Sequence, residues 1–104
     1  MGFEQIDIHW AKQMLEDGNV TIVDIRDPSS FEEAHIHGAI HLTDKNLEKF
    51  LSHTDKNKFV ICYCFHGFNS QQAAAFLVQQ GFDKVYSMEG GFEAWKAAYP
   101  SAKI

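Results

Sequence analysis

The sequence predicts one α/β domain: a central, mostly parallel sheet of about five strands with helices on both faces. Three observations carry this. Short β-rich runs alternate with stretches of helical periodicity along the chain, which is the pattern of strand–helix–strand units. The run Phe59–Cys64 is almost wholly apolar, as a strand covered on both faces must be. The chain has 104 residues, 45% of them hydrophobic with nine Phe, enough for a single core and too few for two domains. It contains no internal repeat, low-complexity tract or linker.

Taken in order, Asp7 can cap a helix through Ile8, Ala11, Met14 and Leu15 that stops at Gly18. Val20–Asp24 is a short strand. Asp27-Pro28-Ser29 is a turn, and Ser29 or Ser30 can cap a short helix from Phe31 to His35. Ala39–Leu42 reads as a second strand, and Lys45–Ser52 as a helix with Leu47, Phe50 and Leu51 on one face. Asp55–Lys58 is a solvated turn. After the Phe59–Cys64 strand comes a loop, Phe65 to Asn69. Ser70–Gln80 is a helix with Ala73, Ala74, Phe76, Leu77 and Gln80 at helical spacing, ended by Gly81. Val85–Met88 is a strand, Gly90-Gly91 breaks it, and Phe92–Ala98 is a last helix with Pro100 beyond. Trp10 and Trp95 read as core or semi-buried residues.

Composition excludes several classes. The net charge is -5, from 14 acids against nine bases, and Arg26 is the one arginine. A nucleic-acid surface needs the opposite balance. No apolar run approaches membrane-spanning length. The segment Met1–Gln5 does not read as the start of a signal peptide, so a cytoplasmic location is the default expectation. Two cysteines, Cys62 and Cys64, are too few for a disulfide scaffold or a four-ligand zinc site. Free thiols in a reducing compartment fit better. His35, His37 and His41 lack the carboxylate or Cys partners that would complete a metal site, and no metal is expected.

The candidate chemistry centres on Cys64, at the carboxyl end of the buried strand, where ligands of parallel sheets bind. The loop from Phe65 through His66, Gly67, Phe68 and Asn69 must turn sharply into the helix near Ser70. Such a turn points backbone N–H groups inward as an anion nest, and the helix N-terminus adds partial positive charge. Gly67 supplies the conformational freedom. This setting favours the thiolate of Cys64. Cys62, deeper in the strand, reads as buried and inert. A Cys-dependent phosphatase needs an Arg after the five loop residues to grip its dianion, and here that residue is Ser70. A persulfide, being terminal and anionic, needs amides more than Arg. The residues therefore point to sulfur rather than phosphorus chemistry.

Four stretches in order resemble the rhodanese family, and within it the single-domain GlpE-type thiosulfate sulfurtransferases. Val23–Phe31 looks like the first signature and Ala34–Ala39 is similar to the second, with Ala34 where Gly is usual. Cys64-Phe65-His66-Gly67 matches the active loop, and Gly90-Gly91-Phe92-Glu93-Ala94-Trp95 the closing element. The chain departs from the pattern also at Phe68, where a small polar residue is usual, and at Gln71-Gln72, where Lys-Gly is familiar. The resemblance covers nearly all of the chain. It implies a rhodanese fold, Cys64 as persulfide carrier and Phe65 to Ser70 as its backbone cradle. It also implies thiosulfate as donor and cyanide or a dithiol protein such as thioredoxin as acceptor, with no cofactor beyond the covalent persulfide on Cys64.

The remaining residues divide. Asp24 and Arg26, alternate residues at a strand end, are expected to brace neighbouring loops by charge-assisted hydrogen bonds rather than to react. His66 is either an acid or base beside Cys64 or an exposed loop residue whose backbone N–H is what counts. Phe65 and Phe68 either form an apolar rim for a partner or pack the loop. Two other functions compete with sulfur transfer from thiosulfate: a persulfide carrier fed by a protein donor, and the Arg-less phosphatase.

Overall fold

The computed structural model describes residues 2–99. Ten elements alternate along the chain: β1 (Glu4–Ile6), α1 (Ile8–Asp17), β2 (Val20–Asp24), α2 (Pro28–Glu33), β3 (Ile40–His41), α3 (Leu47–His53), β4 (Phe59–Tyr63), α4 (Asn69–Gln79), β5 (Lys84–Met88) and α5 (Gly91–Ala98). The strands form one sheet in the order β1-β5-β4-β2-β3, and every pairing is parallel. β4 lies at the centre, with Ile61 opposite Ile22 on one side and Tyr86 on the other.

Alternation along β4 divides the core in two. Ile61 and Tyr63 face a cluster with Ala11 of α1 and Phe92 and Trp95 of α5. Val60 and Cys62 face the opposite cluster, with Phe50 of α3 and Ala74 and Leu77 of α4. Both faces are therefore covered, which is why this strand carries no charged residue.

Local signals explain most boundaries. The Asp7 carboxylate accepts the Trp10 N–H at 2.8 Å and starts α1. In α2 the cap is Asp27, not Ser29 or Ser30. Its carboxylate accepts the Ser30 N–H at 3.2 Å and both serine hydroxyls, at 2.8 Å and 2.7 Å. Those bonds, with the Ser30 hydroxyl foremost, hold the Asp27 carboxyl down at about 2. Pro28 then occupies the first helical position, where its missing N–H costs nothing. The helix ends at Glu33, short of His35, because Ala34 is already extended.

Other differences are informative. β3 shrinks to Ile40–His41, α3 begins at Leu47, and α4 starts one residue early, at Asn69. The fifth strand, β1, was not assigned from sequence. It is three residues long, and only Ile6 is buried. It pairs β5 at the sheet edge, where apolar character is required on one side chain alone. Trp10 is 61% exposed, against the expectation of a buried or semi-buried ring, whereas Trp95 is buried. Pro100, read as the stop beyond the last helix, lies outside the described residues. Among the described residues no helix is long and apolar enough to cross a membrane.

Candidate active site

Cys64 is the first residue past β4, at the carboxyl end of the central strand and 5% exposed. Its Sγ accepts the N–H of Gly67 and the N–H of Ser70, each at 3.2 Å. The Ser70 hydroxyl lies 3.4 Å from the sulfur and 2.8 Å from the hydroxyl of Ser87 on β5. Burial alone pushes the thiol up. The Ser70 hydroxyl and the amides of Ser70, Gly67 and His66 outweigh it, so the net displacement is below the ordinary thiol value. Cys62 differs by two positions and has no such partners among the described residues. Burial, then the charge of Cys64, pushes it up to about 12.

Two helix N-termini build this environment. α4 presents the Ser70 amide to the sulfur. α5 takes up the carbonyls of the same loop: the Phe92 N–H donates to the Cys64 carbonyl at 2.8 Å and the Glu93 N–H to the Phe65 carbonyl at 3.1 Å. Amides thus point at the sulfur while carbonyls are held away from it. The Gln71 side chain clamps the loop by donating to the Gly67 carbonyl at 3.0 Å. Gly67 has φ 96, and a Cβ there would lie 3.0 Å from the Gly90 nitrogen. Gly91 is tighter: a Cβ would come within 2.4 Å of the Phe65 carbonyl oxygen and 2.5 Å of that of Cys64. Gly91 is needed because α5 must reach the loop backbone, and Gly90, at φ 78, because a Cβ there would lie 2.6 Å from that of Ala94.

Asp24 and Arg26 brace the site from beneath. The Arg26 Nε donates to both carboxylate oxygens of Asp24 at 3.0 Å, and Nη2 donates to Oδ2 at 2.7 Å and to the Ala34 carbonyl at 2.6 Å. The guanidinium lies over the rings of Phe92 (4.2 Å), Phe65 (5.5 Å) and Tyr63 (5.6 Å). Its charge is spent on Asp24, and it makes no hydrogen bond to Cys64. The Tyr63 hydroxyl accepts the Ile36 N–H at 3.1 Å. The four sequence stretches, distant along the chain, therefore meet around one loop.

Of residues 65 to 70, Gly67 and Ser70 bond the sulfur and the His66 backbone adds to its pull. Phe65, Phe68 and Asn69 make no hydrogen bond to it among the described residues. The His66 ring is exposed and packs loosely on Phe65, at 6.3 Å between centroids. Phe68 is 75% exposed. His35 and His41 stack on either side of Phe31, and each meets a backbone carbonyl instead of a common centre. Sequence reasoning missed the Ser87 hydroxyl and the α5 amides. The first had a signal, a lone serine between apolar residues of a strand; the second had none beyond the Gly-Gly pair.

A family model described as Rhodanese-like domain matches residues 7–98. The chain belongs to the rhodanese-like domain family. Several solved structures share its fold. The rhodanese-like domain of a protein from Anabaena sp. is 34% identical, with 96% of this chain and 79% of that chain covered and a TM-score of 0.84. A protein from Staphylococcus saprophyticus is 26% identical over 96% of this chain and 99% of its own, with a TM-score of 0.80. A protein of unknown function from Rhodopseudomonas palustris, described as a possible tyrosine phosphatase, is 29% identical, with 96% and 85% covered and a TM-score of 0.79. Five parallel strands between two helical layers, with a cysteine just past the central strand, are what this chain presents as a rhodanese-like domain.

Two concavities among the described residues bear on the site. The larger, about 570 Å³, lies at the amino ends of the strands between Trp10, Met14, Phe59 and Tyr86, away from Cys64 and without a nucleophile. The smaller, about 250 Å³, adjoins the loop at Phe65 and Phe92, with Arg26 and Lys96 balanced by Glu33 and Glu93. Lys96 pairs with Glu93 at 3.3 Å.

Proposed function

We propose that the protein is a sulfurtransferase of the GlpE type that carries sulfane sulfur as a persulfide on Cys64. The observation that supports this best is the sulfur of Cys64 held by two amides and a hydroxyl, with its acidity increased. With thiosulfate, the thiolate attacks the outer sulfur, the sulfur–sulfur bond breaks with its electron pair, and sulfite leaves. The terminal sulfur of the persulfide is an anion, and the inward N–H groups suit it. Cyanide or a thiol of a dithiol protein such as thioredoxin then attacks that sulfur. It leaves as thiocyanate or acceptor persulfide, and the Cys64 thiolate returns. Covalent double displacement of this kind gives ping-pong kinetics. No cofactor or metal enters these steps. Free thiols at Cys62 and Cys64 fit a reducing, cytoplasmic compartment.

A phosphatase reading, of the kind attached to the Rhodopseudomonas protein, is disfavoured. Transition-state charge on a transferred phosphoryl group calls for an Arg clamp. Ser70 stands at the corresponding position, and Arg26 is committed to Asp24. A carrier reading has a specific observation behind it. Near the loop, Arg26 and Lys96 are both paired with acids, which leaves little to attract a dianionic donor. In this reading a partner protein's persulfide loads Cys64. The test is a thiosulfate:cyanide assay beside loading by a cysteine desulfurase. Cys64→Ser is expected to abolish both, by at least about a hundredfold for a lost nucleophile. Transfer surviving in Cys64→Ser overturns the proposal. Efficient loading from the desulfurase with saturation by thiosulfate only at high concentration selects the carrier.

A further inference from the structure

We propose that Ser87 is a positioning residue that sets the reactivity of Cys64 through a relay of two buried hydroxyls, Ser87 to Ser70 to sulfur. The inference rests on the reading of Cys64 as the reacting thiol, but not on sulfur being the group transferred. Ser87 lies in β5, opposite Cys62 of β4, and is fully buried, as is Ser70. The two oxygens are 2.8 Å apart, and Ser70 is 3.4 Å from the sulfur. Among the described residues, Ser70 is the hydrogen-bond partner of the Ser87 side chain.

Counting protons along this line gives the relay a direction. With Cys64 as a thiol, S–H can donate to Ser70 and Ser70 to Ser87. The Ser87 proton is then left without an acceptor in an apolar interior, which is unfavourable. With Cys64 as a thiolate, Ser87 donates to Ser70, and Ser70 donates to the sulfur. Every hydroxyl proton now has an acceptor, and the chain ends on the anion. Donation into the Ser70 oxygen also makes Ser70 a better donor. With the thiol, one of the three protons is left without an acceptor whichever way the hydroxyls turn, so the relay is complete only in the anionic state. A serine that merely pins β5 to α4 would have no such directional preference.

The experiment is the pH dependence of alkylation at Cys64, read by peptide mapping. It compares wild type, Ser87→Ala, Ser70→Ala, the double variant and Ser87→Thr, with thermal unfolding measured alongside. Ser87→Ala is expected to raise the alkylation midpoint by about half a pH unit. Ser70→Ala is expected to raise it further, and Ser87→Ala to add nothing in that background, because its path to the sulfur is gone. Ser87→Thr keeps the hydroxyl and is expected to restore the wild-type midpoint. A midpoint unchanged in Ser87→Ala, with only thermal stability lost, overturns the relay in favour of a structural pin. So does an equal rise in the Ser70→Ala background, or a Ser87→Thr midpoint as high as that of Ser87→Ala. An ordinary midpoint in the wild type would instead undermine the role of Cys64 itself, which separates the two failures.

Discussion

At the scale of single residues, two cysteines two positions apart have opposite chemistry. Cys62 sits in the β4 interior and is pushed up to about 12 by burial. Cys64 is also nearly buried, yet the Ser70 hydroxyl and three amides more than offset the desolvation. Alkylation should therefore label Cys64 first, with a midpoint below the free-thiol value of about 8.5. The sign follows from the lowered value. At any given pH the thiolate fraction exceeds that of an ordinary thiol, and it is lost as pH falls through the depressed pKa, taking reactivity with it. A midpoint at or above the free-thiol value, or preferential labelling of Cys62, contradicts this. The contrast was legible in the sequence because Cys64 borders a glycine-containing loop. Ser70 was legible as the end of the cradle; Ser87 showed only as a lone serine among apolar strand residues, which carries no mark of the partner it meets.

Among elements, the loop is shaped by what lies behind it. α4 points amides at the sulfur and α5 takes the loop carbonyls, so the loop depends on a helix that begins 27 residues after Cys64 in sequence. Gly91→Ala is expected to destabilise the fold by about 1–3 kcal/mol through overpacking. It should lower transfer activity disproportionately, because the displaced atoms are the carbonyls of Cys64 and Phe65. Urea unfolding and the sulfur-transfer assay, run on the same preparation, check this; wild-type behaviour in both contradicts the packing. Elements with strong local signals were readable: the Asp7 cap, the apolar β4, and α4, where Ala74 and Leu77 of the expected stripe are buried while Phe76 and Gln80 are exposed. β1 was not, because an edge strand of three residues with one buried side chain lacks any periodicity. The cap of α2 was misplaced because Asp and two serines each carry capping chemistry, and only the fold decides which one the helix uses. Trp10 misled for a simpler reason: a large ring suggests a core, but α1 packs through Ala11 and leaves that ring outside.

For the molecule as a whole, four dispersed stretches converge because a parallel sheet brings its carboxyl ends to one edge. The Asp24–Arg26 pair ties them together, reaching Ala34 by hydrogen bond and Phe65 and Phe92 through their rings. Removing one member strands the other's charge in a buried position. Arg26→Ala is expected to cost about 3–5 kcal/mol in unfolding free energy. Loss of activity should follow loss of folded protein, as activity per folded molecule measured against thermal unfolding would reveal. A variant of full stability but no activity would instead make Arg26 a participant in the reaction. The central claim remains that Cys64 carries sulfur, and intact-mass spectrometry tests it most directly. After incubation with thiosulfate or with a desulfurase and cysteine, the protein should gain the mass of one sulfur atom, lose it on addition of cyanide, and show no gain in Cys64→Ser. A mass unchanged under both donors, or a gain that persists in Cys64→Ser, would contradict it.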